Sequence, residues 1–391
     1  MICKNSMSIL KEIKKYKKHE QLVLLCSRSS LDQEVKDYIQ ELIKTPGINW
    51  YEFLGITMIN RVNGVVYKNI KDMYDVPRYV DYFLKMAYLE QKERTRIHRE
   101  EIIKVSELFE KNNIRHAFLK GAVLNTIIYN PGDRISNDTD VMINIEDTDK
   151  AVELLKQEGY IQGEVKNGIL VPATKKEILF ARLNTYELVP MNKPVDDRYL
   201  PFHELDINYR LGNDSSQEEA IKLLERTEII NGNGYGIRSL PLEEFLIFLC
   251  IHHYREAVMI FKIAYCDDLT LYKYMDIHFL LSLFESRINW GLFKDKAKMM
   301  NRIKDVYYTL YTTEQLYPET ISEEKLNMFK PEDISYLNEY RGRDNSDEVY
   351  TWKQDFAHRV FSYDRQLEAL ENIGEEHARY WSIRNSIKGN N

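Results

Sequence analysis

Apolar positions recur at helical spacing through the first part of the chain. Val35, Tyr38, Ile39, Leu42 and Ile43 follow the i, i+3, i+4, i+7 rule, with Ser30 and Gln33 as a capping box and Pro46-Gly47 as the stop. After Pro77 a long polar-rich pattern predicts a helix over residues 79–112, closed by Asn112-Asn113. Residues 1–113 therefore read as an N-terminal helical region.

From Ile114 the pattern shortens into alternating strands and helices. Residues 115–119 read as a strand, 122–129 as a helix broken by Pro131-Gly132, 138–144 as a second strand and 147–159 as a helix. Further strands are expected over 180–189 and 202–211, separated by a turn-rich stretch at 190–201. Residues 114–212 form the expected α/β core. Residues 213–391 read as mainly helical, with a hairpin at 231–234, an apolar helix over 242–254, an exposed loop over 325–350 and a frayed tail from Lys388. One internal echo stands out: Ile48-Asn-Trp50-x-x-Phe53 recurs as Ile288-Asn-Trp290-x-x-Phe293. Asn60-Arg61 with Tyr67 recurs as Asn301-Arg302 with Tyr308 after a one-residue gap. Either two related helical modules flank the core, or amphipathic helices resemble one another by chance.

Composition narrows the classes. With 391 residues the chain is long enough for two or three packed units, and 44% hydrophobic residues support globular cores. A net charge of −7 disfavours a global attraction to nucleic acid or anionic membrane. The run Lys11, Lys14, Lys15, Lys17 and Lys18 reads as a solvated helix face. Four well-separated cysteines without a CxxC pair suggest neither a zinc site nor a disulfide framework. No signal-like leader and no long apolar run is visible, so a cytoplasmic protein without a membrane span is expected.

The chemistry concentrates in the core. In a strand, Asp138 and Asp140 point to one side while Thr139, Val141 and Ile143 point to the other. Paired carboxylates repel, and a divalent cation offsets that cost. Upstream, Lys120-Gly121 ends a strand and begins a helix, so the backbone can approach a ligand and offer N–H groups to phosphate. Lys120 and Arg134 are cations for such a ligand or for ordinary surface ion pairs. Downstream, Glu204, Asp206 and Asn208 share one face of a strand and Leu205, Ile207 and Tyr209 the other. Two strands with acidic faces are what a shared two-metal site requires.

At this point the sequence resembles a known family. Phe118-Leu-Lys-Gly121, the helix to Tyr129-Asn-Pro-Gly132, Arg134, Asp138-x-Asp140-Val-Met-Ile143 and Asp206-Ile-Asn-Tyr-Arg-Leu211 are similar to motifs of the uncharacterised nucleotidyltransferase family within the DNA polymerase β-like superfamily. The likeness spans roughly residues 20 to 310. It implies an α+β fold with a polymerase β-like mixed-sheet core between N- and C-terminal helical regions. It further implies that Asp138 and Asp140 ligate two Mg²⁺ ions, that Asp206 binds the catalytic ion, and that Lys120, Gly121 and Arg134 lie near the triphosphate of an NTP. Glu204 is the rival to Asp206 as third carboxylate. Two departures are visible: Ala122 follows Lys120-Gly121 where the superfamily commonly has the serine of a Gly-Ser motif, and Asn208 stands where the family usually has histidine.

The expected reaction is transfer of an NMP to a hydroxyl or other nucleophile, with Asp206 helping to accept the proton. The acceptor is unidentified, a protein, peptide or small molecule being favoured over nucleic acid. A tRNA-end nucleotidyltransferase and a non-catalytic nucleotide-binding regulator are the alternatives. Base preference and oligomeric state are not encoded in these motifs.

Overall fold

In a computed structural model the chain is described over residues 6–212, 215–342, 348–362 and 364–371. It divides into two compact units. One, helical, draws on residues up to Lys92, on Gly132–Ile135 and on the chain from Leu249. The other, built on a sheet, draws on Glu93–Pro131 and Ser136–Phe248. No described helix is long and apolar enough to cross a membrane.

The sheet unit contains β1 (His116–Phe118), β2 (Thr139–Ile143), β3 (Ile161–Lys166), β4 (Ile169–Pro172), β5 (Met191–Pro194), β6 (Phe202–Asn208), β7 (Glu228–Gly232) and β8 (Tyr235–Ser239). Their order is β4-β3-β5-β6-β2-β1-β8-β7, a mixed sheet in which β2 runs parallel to β6 and antiparallel to β1. Val141, Ile143, Leu205 and Ile207 are fully buried, as alternation requires of the apolar face. The helix Arg78–Lys111 passes from one unit into the other, and its second half is tied to the sheet by Glu101 to Lys193 (2.9 Å) and Glu110 to Arg238 (2.6 Å).

Several elements differ from the sequence reading. Residues 180–189 are not a continuous strand, because the helix Lys175–Asn184 takes the first half of them. Thr174 and Glu177 cap that helix reciprocally, which overrides the apolar Phe180 neighbourhood. The stretch 190–201 contains β5, recruited by pairing with β6. The helix Gln33–Lys44 is capped by Asp32, which accepts from the Val35 N–H, rather than by Ser30. Within 325–350 the expected open loop is partly a hairpin of β9 (Glu339–Arg341) and β10 (Val349–Thr351). Its Tyr340 and Trp352 bury their rings 4.2 Å apart. The tail from Lys388 lies outside the described residues.

The internal echo is structural. Helices Trp50–Ile59 and Trp290–Met299 are N-capped by Asn49 and Asn289, and each sets a tryptophan edge-on to a fully buried phenylalanine, Phe53 or Phe293. Each ends in a left-handed residue with φ 55°, Arg61 in the first copy and Asn301 in the second. The Val62 N–H then bonds to Thr57 O, and the Arg302 N–H to Ala297 O, before the helices Asn63–Ile70 and Ile303–Leu316 begin. The two copies thus align at a constant offset; the one-residue gap is absent, because Arg61 corresponds to Asn301. The early and late segments of the helical unit are joined by Ser27 Oγ to Tyr317 Oη (2.9 Å) and Arg28 Nη2 to Pro318 O (2.7 Å).

Gly64 marks the tightest approach in this unit. A Cβ there would lie 2.1 Å from Gly132 O and 2.4 Å from Asp133 O, both backbone atoms. Gly55, in the helix Trp50–Ile59, has nothing within 4 Å of the same position. We therefore expect opposite signs in urea unfolding: Gly64→Ala loses about 1–3 kcal/mol through overpacking, while Gly55→Ala gains about 0.5–1 kcal/mol from helix propensity. A neutral Gly64→Ala would refute the close approach.

Candidate active site

The parallel register of β2 and β6 sets Asp140 directly opposite Asp206. Paired residues in neighbouring strands present their side chains to the same face, so the two carboxylates stand side by side. Asp138 precedes β2 and, by alternation, shares that face, as does Glu204. The opposite face is closed by a buried chain of hydrogen bonds. Thr139 Oγ1 lies 3.0 Å from His203 Nε2, and His203 Nδ1 lies 2.8 Å from Tyr160 Oη. Burial holds the His203 imidazole well below its ordinary range, so it stays neutral and acts as a fixed polar pin between the strands.

Crowding shows in the acidities. Burial pushes the Asp140 carboxyl up to about 6, against the pull of the Lys120 ammonium and with a further push from Asp138. Asp206 keeps some solvent exposure but is surrounded mostly by protein. Burial, then Asp140, Asp138 and Glu187, hold it well above the usual carboxylate range. Glu204 is raised by burial and by Asp138, and lowered by a hydrogen bond from Asn192, its register partner on β5.

Lys120 answers part of this charge. Its Nζ lies 2.6 Å from Asp140 Oδ1, and its backbone is left-handed at φ 44°, a conformation that costs a non-glycine residue of order 1 kcal/mol or more. It opens the helix Lys120–Ile127, whose preceding residue Leu119 provides no side-chain cap. The Leu119 N–H donates to Asp140 O at 3.0 Å, so the first turn of this helix starts beside the carboxylates. Its leading N–H groups are the kind that bind phosphate.

Residues 46–318, well over half of the chain, match the family described as uncharacterised nucleotidyltransferase. The chain belongs to that family. No curated protein and no solved structure matches it. Membership makes it, at the coarse level, a nucleotidyltransferase, and the sheet with its facing aspartates is where a family member of this sequence concentrates acidic groups.

Of the residues that the sequence singled out in this nucleotidyltransferase, Lys120, Gly121, Asp138, Asp140, Glu204 and Asp206 all lie in the sheet unit. Arg134 does not. It belongs to the helical unit, 5% exposed, where Nε and Nη2 both bond Asp276 at 2.8 Å and the guanidinium lies 5.4 Å from the Tyr272 ring centre. Sequence reasoning missed Glu187, which pairs across an isolated bridge with Asn208 and adds negative potential at both Asp140 and Asp206. Its only signal was its place inside residues 180–189, the stretch that the sequence reads as a strand.

The donor set is all carboxylate oxygen, which suits a hard divalent cation. Among the described residues, however, no three His, Cys, Asp or Glu side chains stand gathered as a ready metal cage. Lys120 occupies one oxygen of Asp140 instead.

Two outcomes follow from these pairings. Asp140 and Asp206 both bind protons more tightly in the folded state than in the unfolded chain, so the stability they contribute below pH 3.8 is lost as pH rises, for Asp140 through about 6. Asp206→Asn should therefore melt above the wild type in chelator near neutral pH, with a gap that closes toward pH 4. Each kcal/mol recovered is worth about 2–4 °C. A variant that melts lower at every pH would show that the facing carboxylates do not repel. Asp276→Asn, by contrast, strands the buried Arg134 charge and should cost about 3–5 kcal/mol in denaturant unfolding.

Proposed function

We propose that the chain transfers a nucleoside monophosphate from an NTP to a hydroxyl or comparable nucleophile, releasing pyrophosphate, on a polymerase β-like core. The observation that carries this reading is the register pair Asp140–Asp206, with Lys120 and an uncapped helix start beside it. Asp138, Asp140 and Asp206 are the residues that would hold two Mg²⁺ ions. Magnesium, when bound, would supply the positive charge that offsets the carboxylates and the triphosphate.

The remaining work falls to the chain. The Lys120 ammonium, 2.6 Å from Asp140 Oδ1, would be a donor for a phosphate oxygen of a nucleotide bound beside the carboxylates. The N–H groups of Gly121 and its neighbours at the helix start offer further donors to the triphosphate. β2 and β6, paired in the middle of the sheet, hold the carboxylates in fixed register, so they would need no backbone reorganisation to receive the nucleotide. A net charge of −7 supports an acceptor that is a protein, peptide or small molecule rather than a polynucleotide.

Thermal melts test the binding half of this reading. Mg-NTP at 100 times its Kd should add about 2.7 kcal/mol of stability. NTP with chelator should add nothing, and neither should Mg-NTP with Asp140→Asn. Incubation with each α-³²P-labelled NTP and a cell extract tests transfer and sizes the labelled product. If acceptor affinity then fell by ~10³-fold or more between 50 and 200 mM salt, the acceptor would be a polynucleotide instead.

A further inference from the structure

Glu187 stands on the carboxylate face without any assignment. The chain around it is fastened along β6: the Leu188 N–H donates to Ile207 O at 2.9 Å and the Tyr209 N–H to Tyr186 O at 3.0 Å. Thr185 Oγ1 donates to Glu187 O at 2.7 Å and Tyr209 Oη to Thr185 O at 2.7 Å, closing the turn that delivers Glu187 from the preceding helix. An antiparallel bridge partner shares a face, so Glu187 and Asn208 lie side by side on the face of Asp206 and Glu204, one pleat beyond the Asp140–Asp206 pair.

Asn208 supplies a second, independent sign of a ligand. It is 4% exposed, yet its Nδ2 has no hydrogen-bond partner among the described residues. A buried amide donor of this kind costs about 1–3 kcal/mol unless something accepts from it. Glu187, half-buried, offers an acceptor and no donor when ionised. Together they form a donor beside an acceptor, the complement of a hydroxyl group, which can accept from Asn208 and donate to Glu187.

We propose that Glu187 and Asn208 hold the hydroxyl of the acceptor, and that Glu187 takes its proton. This deepens the nucleotidyl-transfer reading and rests on it. The acceptor is then an alcohol or phenol, and the product a phosphodiester. The acceptor O–H proton passes to a Glu187 carboxylate oxygen as the acceptor oxygen bonds the α-phosphorus. The bond from that phosphorus to the bridging oxygen breaks, and pyrophosphate leaves with the electron pair. Glu187 returns its proton to solvent.

Asp206 is less suited to that task. It faces Asp140 directly, where a cation would claim its lone pairs, and a carboxylate bound to a cation is a weak base. Glu187 is offset from that pair and is placed by backbone bonds rather than by a charge partner.

The test compares Glu187→Gln with Asp206→Asn in the full chain. Mn²⁺ binding is followed by electron paramagnetic resonance, Mg-ATP binding by melting shift, and transfer from α-³²P-ATP, or whichever labelled NTP the wild type uses, into a cell extract. Glu187→Gln should keep the Mn²⁺ affinity and nucleotide shift of the wild type within about twofold while transfer falls 10²-fold or more. Asp206→Asn should lose Mn²⁺ binding. Asn208→Leu, which removes the donor and keeps the branched shape, should weaken transfer with Mn²⁺ binding intact. Transfer by Glu187→Gln within threefold of wild type overturns the proposal, and so does loss of Mn²⁺ by that variant, which would make Glu187 a metal ligand. A wild type that binds Mg-ATP and transfers no nucleotide overturns the transferase reading itself, and the role of Glu187 with it.

Discussion

Two strands running parallel in one register force two aspartates to face each other, and much of the sheet unit is arranged around that repulsion. Asp140 cannot move away from Asp206 without breaking the β2–β6 ladder, which sits in the middle of the sheet with strands on both sides. The face behind it is locked by the Thr139, His203 and Tyr160 chain, whose neutral histidine brings no charge to compensate. Among the described residues Lys120 supplies compensation, from a left-handed backbone at the start of a helix. A fold seeking stability alone would place an asparagine at one of these positions and a glycine at the other. Keeping the aspartates and the lysine leaves a cluster of carboxyls held above their ordinary range.

Much of this was legible in the chain, because strand alternation is a local rule. Asp138 and Asp140 share a face whatever β2 pairs with, and the same holds for Glu204 and Asp206 on β6. The pairing itself is a long-range fact. Nothing within reach of periodicity says that Asp140 meets Asp206 rather than Glu204, or that Asn192 arrives opposite Glu204. Glu187 was hidden for a related reason. Its neighbours Phe180 and Leu183 suggested a strand, but Thr174 and Glu177 start a helix that carries the chain through to Asn184. Only after that helix does the backbone extend, and it is β6 that gives Glu187 its orientation. Arg134 was found by its motif, but its partner Asp276 lies far along the sequence, so burial in an ion pair could not be read from its surroundings.

The helical unit follows a different logic. Its two Trp-to-Phe modules repeat the cap and the ring pair in identical residues but the left-handed turn in different ones, since Arg61 and Asn301 share a backbone conformation rather than a chemistry. Asparagine adopts that conformation readily; arginine does so because the following N–H bonds, Val62 to Thr57 in one copy and Arg302 to Ala297 in the other, secure the turn. Between the copies the chain leaves to build the sheet and returns.

That interruption imposes an order on synthesis. The buried helix Lys18–Cys26, with Leu22, Val23, Leu24 and Leu25 fully enclosed in the finished unit, leaves the ribosome early. The residues that close over its end, Tyr317 and Pro318, emerge only after the whole sheet has been made. Its main packing partners, the helices Gln33–Lys44, Trp50–Ile59 and Asn63–Ile70, follow at once, and the strands of the sheet unit, all within residues 116–239, can pair next. The nascent chain can therefore cover most of that helix at once with the helices that follow it, while the turn at Ser27 and Arg28 is sealed last of all.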